Sequence, residues 1–232
     1  MSAIPLNLAS NSEFDTRNVF ELEQTDRLKY LHTKIRDKTA SKRQFTFYAD
    51  QVIRLLLEQS LQRLTFNNKQ VTTPVGAIYQ GKQFAKPICG VSVVRAGESM
   101  ENELRRIDLN IPIGKILIQR DPESKLPKLY YAKLPEHIEQ YHVLVFEPML
   151  ATGGSAICAL EVLCNSGVKP ENITFVNLLC SPEGLANVTK RFPDVVIQTS
   201  SIEQCLNEHA FMIPGIGDFG DRYFGTTDLG AV

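Results

Sequence analysis

From about residue 88 onward the chain alternates short apolar runs with helical segments, and this alternation limits its possible folds more than any other feature. The runs lie at 88–94, 113–119, 143–146, 173–179 and 195–199. Strands that read as near-continuous apolar runs are covered on both faces, which predicts a parallel sheet with helices above and below. The expected class is α/β, a Rossmann-like parallel sheet flanked by helices. Ligands of such sheets bind beyond the carboxyl ends of the strands. The residues that follow each run therefore matter. Arg95 follows the first, Arg120 the second, Glu147 the third, and Ser181-Pro182-Glu183-Gly184 the fourth. Two cations, one anion and one phosphate loop are predicted to gather on one edge.

The third run leads into the most informative loop. It ends at Glu147, passes through Pro148-Met149-Leu150-Ala151-Thr152-Gly153-Gly154-Ser155, and enters an apolar helical stretch at 156–164. Glycine lets backbone approach a ligand closely because it has no Cβ. N–H groups at a helix start face outward, where the helix dipole favours anions. A phosphate suits this loop, and the carboxylate suits a sugar hydroxyl or a magnesium ion. No lysine follows the glycines as in a Walker A loop, and G-x-G-x-x-G is absent.

Two further stretches carry chemistry. Residues 122–135 read as a hairpin, with Leu129, Tyr130 and Tyr131 between proline-containing ends. It serves either as a flap that excludes water from a reactive sugar cation or as a subunit contact. The segment 211–226 holds four glycines and a proline, a density that predicts irregular structure. Such a loop either reads a flat ligand through its backbone or packs as an ordered tail. The histidines His32, His137, His142 and His209 stand alone and read as packing or surface residues. Ser155 and Ser181 lack the G-x-S-x-G setting of a hydrolase nucleophile.

Across the 232 residues, Lys plus Arg number 25 and Asp plus Glu 26, a balance that argues against nucleic acid or membrane as partner. Cys89, Cys158, Cys164, Cys180 and Cys205 form no C-x-x-C pair, which favours reduced thiols over a disulfide framework or zinc site. No apolar run is long enough to span a membrane, and residues 1–14 have neither a secretory nor a transit pattern. A cytoplasmic protein is expected, with a loose tail at 1–15 and a single domain at 16–232. Leu28, Leu31 and Ile35 recur at helical spacing. Ser41 with Gln44 predicts a capping box ahead of a helix whose apolar side carries Val52, Leu55, Leu56 and Leu61.

Four ordered motifs together resemble the uracil phosphoribosyltransferases, a branch of the type I phosphoribosyltransferases. They are residues 94–100 around Arg95, 116–121 ending Arg120-Asp121, the loop 148–155, and Pro214-Gly215-Ile216-Gly217-Asp218-Phe219 with the residues to Gly225. The likeness runs from about Lys34 to Thr226. It implies a type I phosphoribosyltransferase fold with a β-hairpin flap, and transfer of phosphoribose from phosphoribosyl diphosphate to N1 of uracil. UMP and diphosphate would be the products, Mg2+ the cofactor, pyrimidine salvage the role, and a homodimer or homotetramer the assembly.

Carried onto these residues, the resemblance gives Arg95 and Arg120 to the diphosphate. Glu147, Pro148, Met149, Leu150, Ala151, Thr152, Gly153, Gly154 and Ser155 would hold the ribose hydroxyls and 5′-phosphate. Met212, Gly217, Asp218 and Phe219 would bind uracil, with Asp218 also facing the donor or its metal. Arg120 and Asp218 are the expected catalytic residues. Glu147 stands where the motif has Asp, which moves the carboxylate by a methylene in a site whose geometry matters to about 0.5 Å. Lys42 matches one position used by GTP-activated relatives, but Gln51 stands where they have Arg, which speaks against GTP control. The competing expectation is a catalytically silent homologue that senses nucleotide or binds a partner.

Overall fold

The computed structural model describes residues 14–121 and 126–226, without the Arg120 side chain. The chain opens with a short edge strand, β1 (Val19–Glu21), and a helix, α1 (Asp26–Arg36). Thr25 caps α1, its side chain accepting from the Leu28 N–H, and Leu28, Leu31 and Ile35 are buried as their spacing predicts. The Ser41–Gln44 capping box then starts α2 (Lys42–Gln62), a 21-residue helix. Its buried side carries Val52, Ile53, Leu56, Leu57 and Leu61. Leu55, expected on that side, is exposed; in a helix, residues adjacent in sequence turn to different faces, and Leu56 takes the core position.

An antiparallel hairpin follows, β2 (Phe66–Thr72) with β3 (Ile78–Phe84). Every residue of β2 is exposed. The sheet proper then begins with β4 (Ile88–Val94), a 3₁₀ turn (Ala96–Met100) and α3 (Glu101–Ile107). Next come β5 (Ile113–Arg120) and β6 (Pro127–Lys133). After them stand β7 (His142–Phe146), β8 (Met149–Leu150) and α4 (Gly154–Asn165). The last large units are β9 (Ile173–Cys180), α5 (Pro182–Arg191) and β10 (Val196–Ile202). Two short strands, β11 (Cys205–Leu206) and β12 (Met212–Ile213), and the helix α6 (Phe219–Phe224) close the described chain.

The main sheet runs β1-β10-β9-β7-β4-β5-β6, with β8 added beside β9. Every pairing is parallel except β5 with β6; the stretch 122–135, expected to form a hairpin by itself, supplies instead the single strand β6, which pairs back onto β5, and residues 122–125 lie outside the described residues. All eight residues of β9 are buried, as strands covered on both faces must be. One core lies under α4 and α5, around Val91, Val145, Phe175, Leu160 and Leu185. The other lies under α1, α2 and α6, around Phe45, Leu56, Phe146, Leu178 and Phe219.

From β4 the chain moves outward to β5 and β6, then crosses back to β7 on the opposite side of β4. The strand order therefore reverses between β4 and β7, and a crevice opens at their carboxyl ends. Gly97 fits the tight junction there: a Cβ on it would stand 2.1 Å from the Phe146 carbonyl oxygen. Arg95 and Glu147 flank that reversal, one on each strand end.

Candidate active site

The loop after β7 is held from below. The Pro148 carbonyl accepts from the N–H groups of Leu178 (2.8 Å) and Leu179 (3.1 Å), and the Leu150 side chain is buried. Pro148 and Leu150 thus fasten the loop to the sheet, while Met149 and Ala151 between them line a cavity. The turn after β9 completes the support. The Ser181 hydroxyl donates to the Ala151 carbonyl (2.5 Å), and the Asn187 amide donates to the Thr152 carbonyl (3.0 Å). Gly184 lets α5 approach this closely, since a Cβ would lie 2.4 Å from the Ala151 oxygen. The turn expected to gather at the ligand edge therefore acts as a brace beneath the loop.

With its carbonyls tied back, the loop enters α4 through Gly153 at φ +84°. The first-turn N–H groups of a helix have no intrahelical acceptor, which at the start of α4 applies to the N-cap Gly153 and to Gly154 and Ser155. Pro127, at the start of β6, packs over this turn, with its Cγ 2.9 Å from where a Cβ of Gly154 would be.

Glu147 is half-buried as a residue, but its Oε2 is fully enclosed and has no hydrogen-bond partner among the described residues. The enclosed oxygen governs its titration. Burial pushes the carboxyl up to about 7, opposed only by a hydrogen bond with Ser155. An enclosed, unpaired acceptor of this kind is expensive without a donor.

Arg95, expected to face a diphosphate, forms an ion pair with Asp221 (2.7 Å) and donates to the Thr226 hydroxyl (2.7 Å). Hydrogen bonds from Thr226 first and Arg95 second hold the Asp221 carboxyl below its usual range. Arg120 ends β5, at the same sheet edge; its side chain lies outside the described residues.

The segment 211–226 departs from the irregular structure expected of it. Met212 and Ile213 pair with Leu206 and Cys205, and residues 219–224 form α6. Asp218 makes that helix possible by capping it, its Oδ1 accepting from the Asp221 N–H at 2.8 Å. The Phe219 ring turns inward, edge-on to Phe45 at 5.5 Å and stacked on Tyr223 at 5.4 Å. The side chain of Phe219 thereby anchors the loop that borders the cavity.

That cavity, about 350 Å³, has walls from three parts of the chain: Arg95 after β4, Met149 and Ala151 after β7, and the loop Met212, Gly217, Asp218 and Phe219. Seven residues singled out from sequence therefore meet in one place. Glu147 and residues 152–155 are not among its lining residues. Six further lining residues, Ala96, Ala210, Phe211, Gly215, Ile216 and Gly220, were not assigned to the site from sequence, although all but Ala210 fall in stretches singled out there. Phe211 is about half exposed and begins the glycine-rich segment, which was the available signal.

Lys42 opens α2 with its side chain against Gly225. It does not line the second cavity, whose walls include Arg27, Gln51, Arg54 and Arg106. There the Arg27 guanidinium donates to Gln51 Oε1 at 2.5 Å. The lone histidines behave as packing residues where they are buried: His32 meets the Ser200 hydroxyl (3.1 Å) and His142 the Thr174 hydroxyl (2.9 Å). Burial lowers both to about 4. The five cysteines are free, and no helix among the described residues is long and apolar enough to cross a membrane.

A family model described as uracil phosphoribosyltransferase matches residues 22–226. The chain is 53% identical over 209 residues to uracil phosphoribosyltransferase 1 of Schizosaccharomyces pombe, covering 90% of this chain and 95% of that one. It is also 53% identical over 211 residues to a uracil phosphoribosyltransferase of Dictyostelium discoideum, covering 91% and 98%. Among solved structures, a protein of Aquifex aeolicus superposes with a TM-score of 0.80 at 28% identity, covering 90% of this chain and 99% of that one.

Proposed function

The chain belongs to the uracil phosphoribosyltransferase family and is a phosphoribosyltransferase acting on uracil, and from that premise we propose how its residues divide the work. The observation that supports the proposal is the shared cavity, lined by Met212, Gly217, Asp218 and Phe219 together with Met149 and Ala151 of the loop after β7. Uracil lies against the first wall, its alternating donors and acceptors met by peptide groups. The 5′-phosphate of phosphoribosyl diphosphate lies on the N–H groups of Thr152, Gly153, Gly154 and Ser155. Glu147, at the carboxyl end of β7, accepts from the ribose hydroxyls.

The reaction follows from this placement. The bond from C1′ to the diphosphate oxygen breaks with its electron pair leaving on diphosphate, N1 of uracil bonds to C1′, and the N1 proton is released. Charge develops mainly on the sugar and the departing diphosphate, so the protein's task is orientation and electrostatic stabilisation. Arg95 and Arg120 stabilise the diphosphate, Arg95 exchanging its pairing with Asp221 for the ligand. Asp218 faces the reacting atoms from the base side, and the β5–β6 hairpin covers the site.

The donor set fits magnesium carried on the substrate. Among the described residues no three ligating side chains cluster, and magnesium commonly takes one or two carboxylates, substrate phosphate oxygens and water. Asp218 would hold it, and the ion would supply positive charge to the leaving diphosphate.

The described residues from 16 to 226 act as one catalytic domain; most of the tail expected at 1–15 lies outside the described residues. The free cysteines support a cytoplasmic location. The protruding β2–β3 hairpin, with Phe66, Val71, Ile78 and Tyr79 exposed, supports assembly into a homodimer or homotetramer. The proposal is tested by measuring diphosphate release with uracil, cytosine, adenine and hypoxanthine in turn. Uracil is expected to exceed the others by about 10⁴-fold or more, the discrimination that a site built on hydrogen bonds supplies. A purine turned over as well as uracil would overturn it.

A further inference from the structure

The glycine-rich loop that borders the cavity is gripped from behind by two arginines: Arg36, which lies in none of the four motifs, and Arg222, which lies in the last of them but has no role assigned there. Arg36, at the end of α1, forms a two-pronged pair with Glu203, which follows β10: Nη2 to Oε1 at 2.6 Å and Nη1 to Oε2 at 2.9 Å. The same two side chains hold both polar atoms of one peptide residue. Glu203 Oε2 accepts from the Gly215 N–H at 2.7 Å, and Arg36 Nη1 donates to the Gly215 carbonyl at 3.1 Å. The Glu203 side chain is 1% exposed. Burial would raise its carboxyl, but the hydrogen bonds from Arg36 and from the Gly215 N–H outweigh burial and hold it below its usual range.

A second arginine grips the next residue. Arg222 of α6 donates to the Ile216 carbonyl (2.8 Å) and reaches back to the Ile35 (2.6 Å) and Asp37 (2.7 Å) carbonyls at the end of α1. Its guanidinium lies 4.2 Å from the centre of the Phe45 ring. The grip spans the end of α1, the end of β10, the loop and α6.

The held residue is one whose conformation needs holding. Gly215 sits at φ +63°, and a Cβ on it would lie 2.2 Å from the Met212 carbonyl oxygen. It stands between Met212 and Gly217, the residues assigned to the base. The carbonyls of Gly215 and Ile216 are consumed by the arginines, so recognition falls to the exposed peptides at Gly217 and Asp218. We propose that Arg36 and Glu203 are positioning residues that fix the base-reading loop through Gly215, and so set uracil affinity without touching uracil or phosphoribosyl diphosphate. This rests on the assignment of uracil to the loop 212–219.

The test uses Glu203→Gln, which keeps the shape but removes the charge that pairs with Arg36, and Arg36→Lys, which keeps the charge but loses the fork. Initial rates are measured with uracil and phosphoribosyl diphosphate varied separately, and amide hydrogen exchange is followed through 212–219 in the free protein. For Glu203→Gln the expected result is a uracil KM raised at least tenfold, a phosphoribosyl diphosphate KM within twofold of native, and loop exchange at least tenfold faster. Arg36→Lys is expected to fall between the two, and it carries both readouts if Glu203→Gln does not fold. Both KM values rising together, or loop exchange unchanged, would overturn the proposal. Faster loop exchange with an unchanged uracil KM would instead show that the loop is held as described but does not receive uracil.

Discussion

Replacing Glu147 by glutamine tests the meaning of its enclosed carboxylate. Burial raises this carboxyl from 4.5 to about 7, so between those values the folded state binds a proton that the unfolded state has released. The contribution of this group to stability is therefore greatest below about pH 4.5 and falls as pH rises towards 7. At 1.36 kcal/mol per unit, the shift of about 2.5 units sets a ceiling of about 3 kcal/mol. Glutamine is close in size and does not titrate. In the absence of ligand, Glu147→Gln should therefore gain on the native protein as pH rises from 4 to 8, by up to about 3 kcal/mol. That corresponds to roughly 6–12 °C in Tm for a chain of this size. The assay is thermal or urea unfolding of both proteins across this range. A stability difference that stays constant, or that moves in favour of the native chain with rising pH, would refute the reasoning. Catalysis should move the other way, with the phosphoribosyl diphosphate KM of Glu147→Gln raised because an amide is a weaker acceptor for ribose hydroxyls.

Gly184→Ala places a methyl 2.4 Å from the Ala151 oxygen and 2.8 Å from the Leu150 oxygen, so α5 must back away from the loop it braces. Urea unfolding should show a loss of about 1–3 kcal/mol, with the phosphoribosyl diphosphate KM rising and the uracil KM nearly unchanged. Phe45→Ala empties a fully buried site that contacts Phe219 and Arg222. It should cost about 3–5 kcal/mol in the same assay, and in the folded fraction the uracil KM should rise. Asn187→Ala frees the Thr152 carbonyl and should lower stability by about 1 kcal/mol while weakening phosphate binding, measurable by calorimetry with phosphoribosyl diphosphate.

The parts of this fold legible in sequence are those where burial imposes a pattern. Strands β4, β7 and β9 lie between two cores and read as apolar runs, and the Ser41–Gln44 box marked the start of α2. The β2–β3 hairpin left no such signal. All of β2 is exposed, so neither alternation nor a continuous apolar run records it. The three-residue β1 was too short to stand out. Helix α6 was hidden by its glycines, since a six-residue helix depends on its Asp218 cap and on the burial of Phe219 more than on propensity. Within the site, residues contiguous in motifs could be found, including Glu147 and the loop behind it. Arg36 and Glu203 could not, because the pair joins positions 167 apart in the chain and neither lies in a local motif. Arg95 was visible as a cation, but its pairing with Asp221 and Thr226 depends on where α6 packs.

The central claim is that this site, with Glu147 in it, makes UMP. The most direct measurement is UMP formation from uracil and phosphoribosyl diphosphate with magnesium, in the native chain and in Glu147→Asp side by side. The account predicts UMP and diphosphate in equal amounts from the native chain, at a rate the substitution changes by less than about tenfold, one 1.4 kcal/mol step. No UMP from the native chain, with activity appearing in Glu147→Asp, would contradict it.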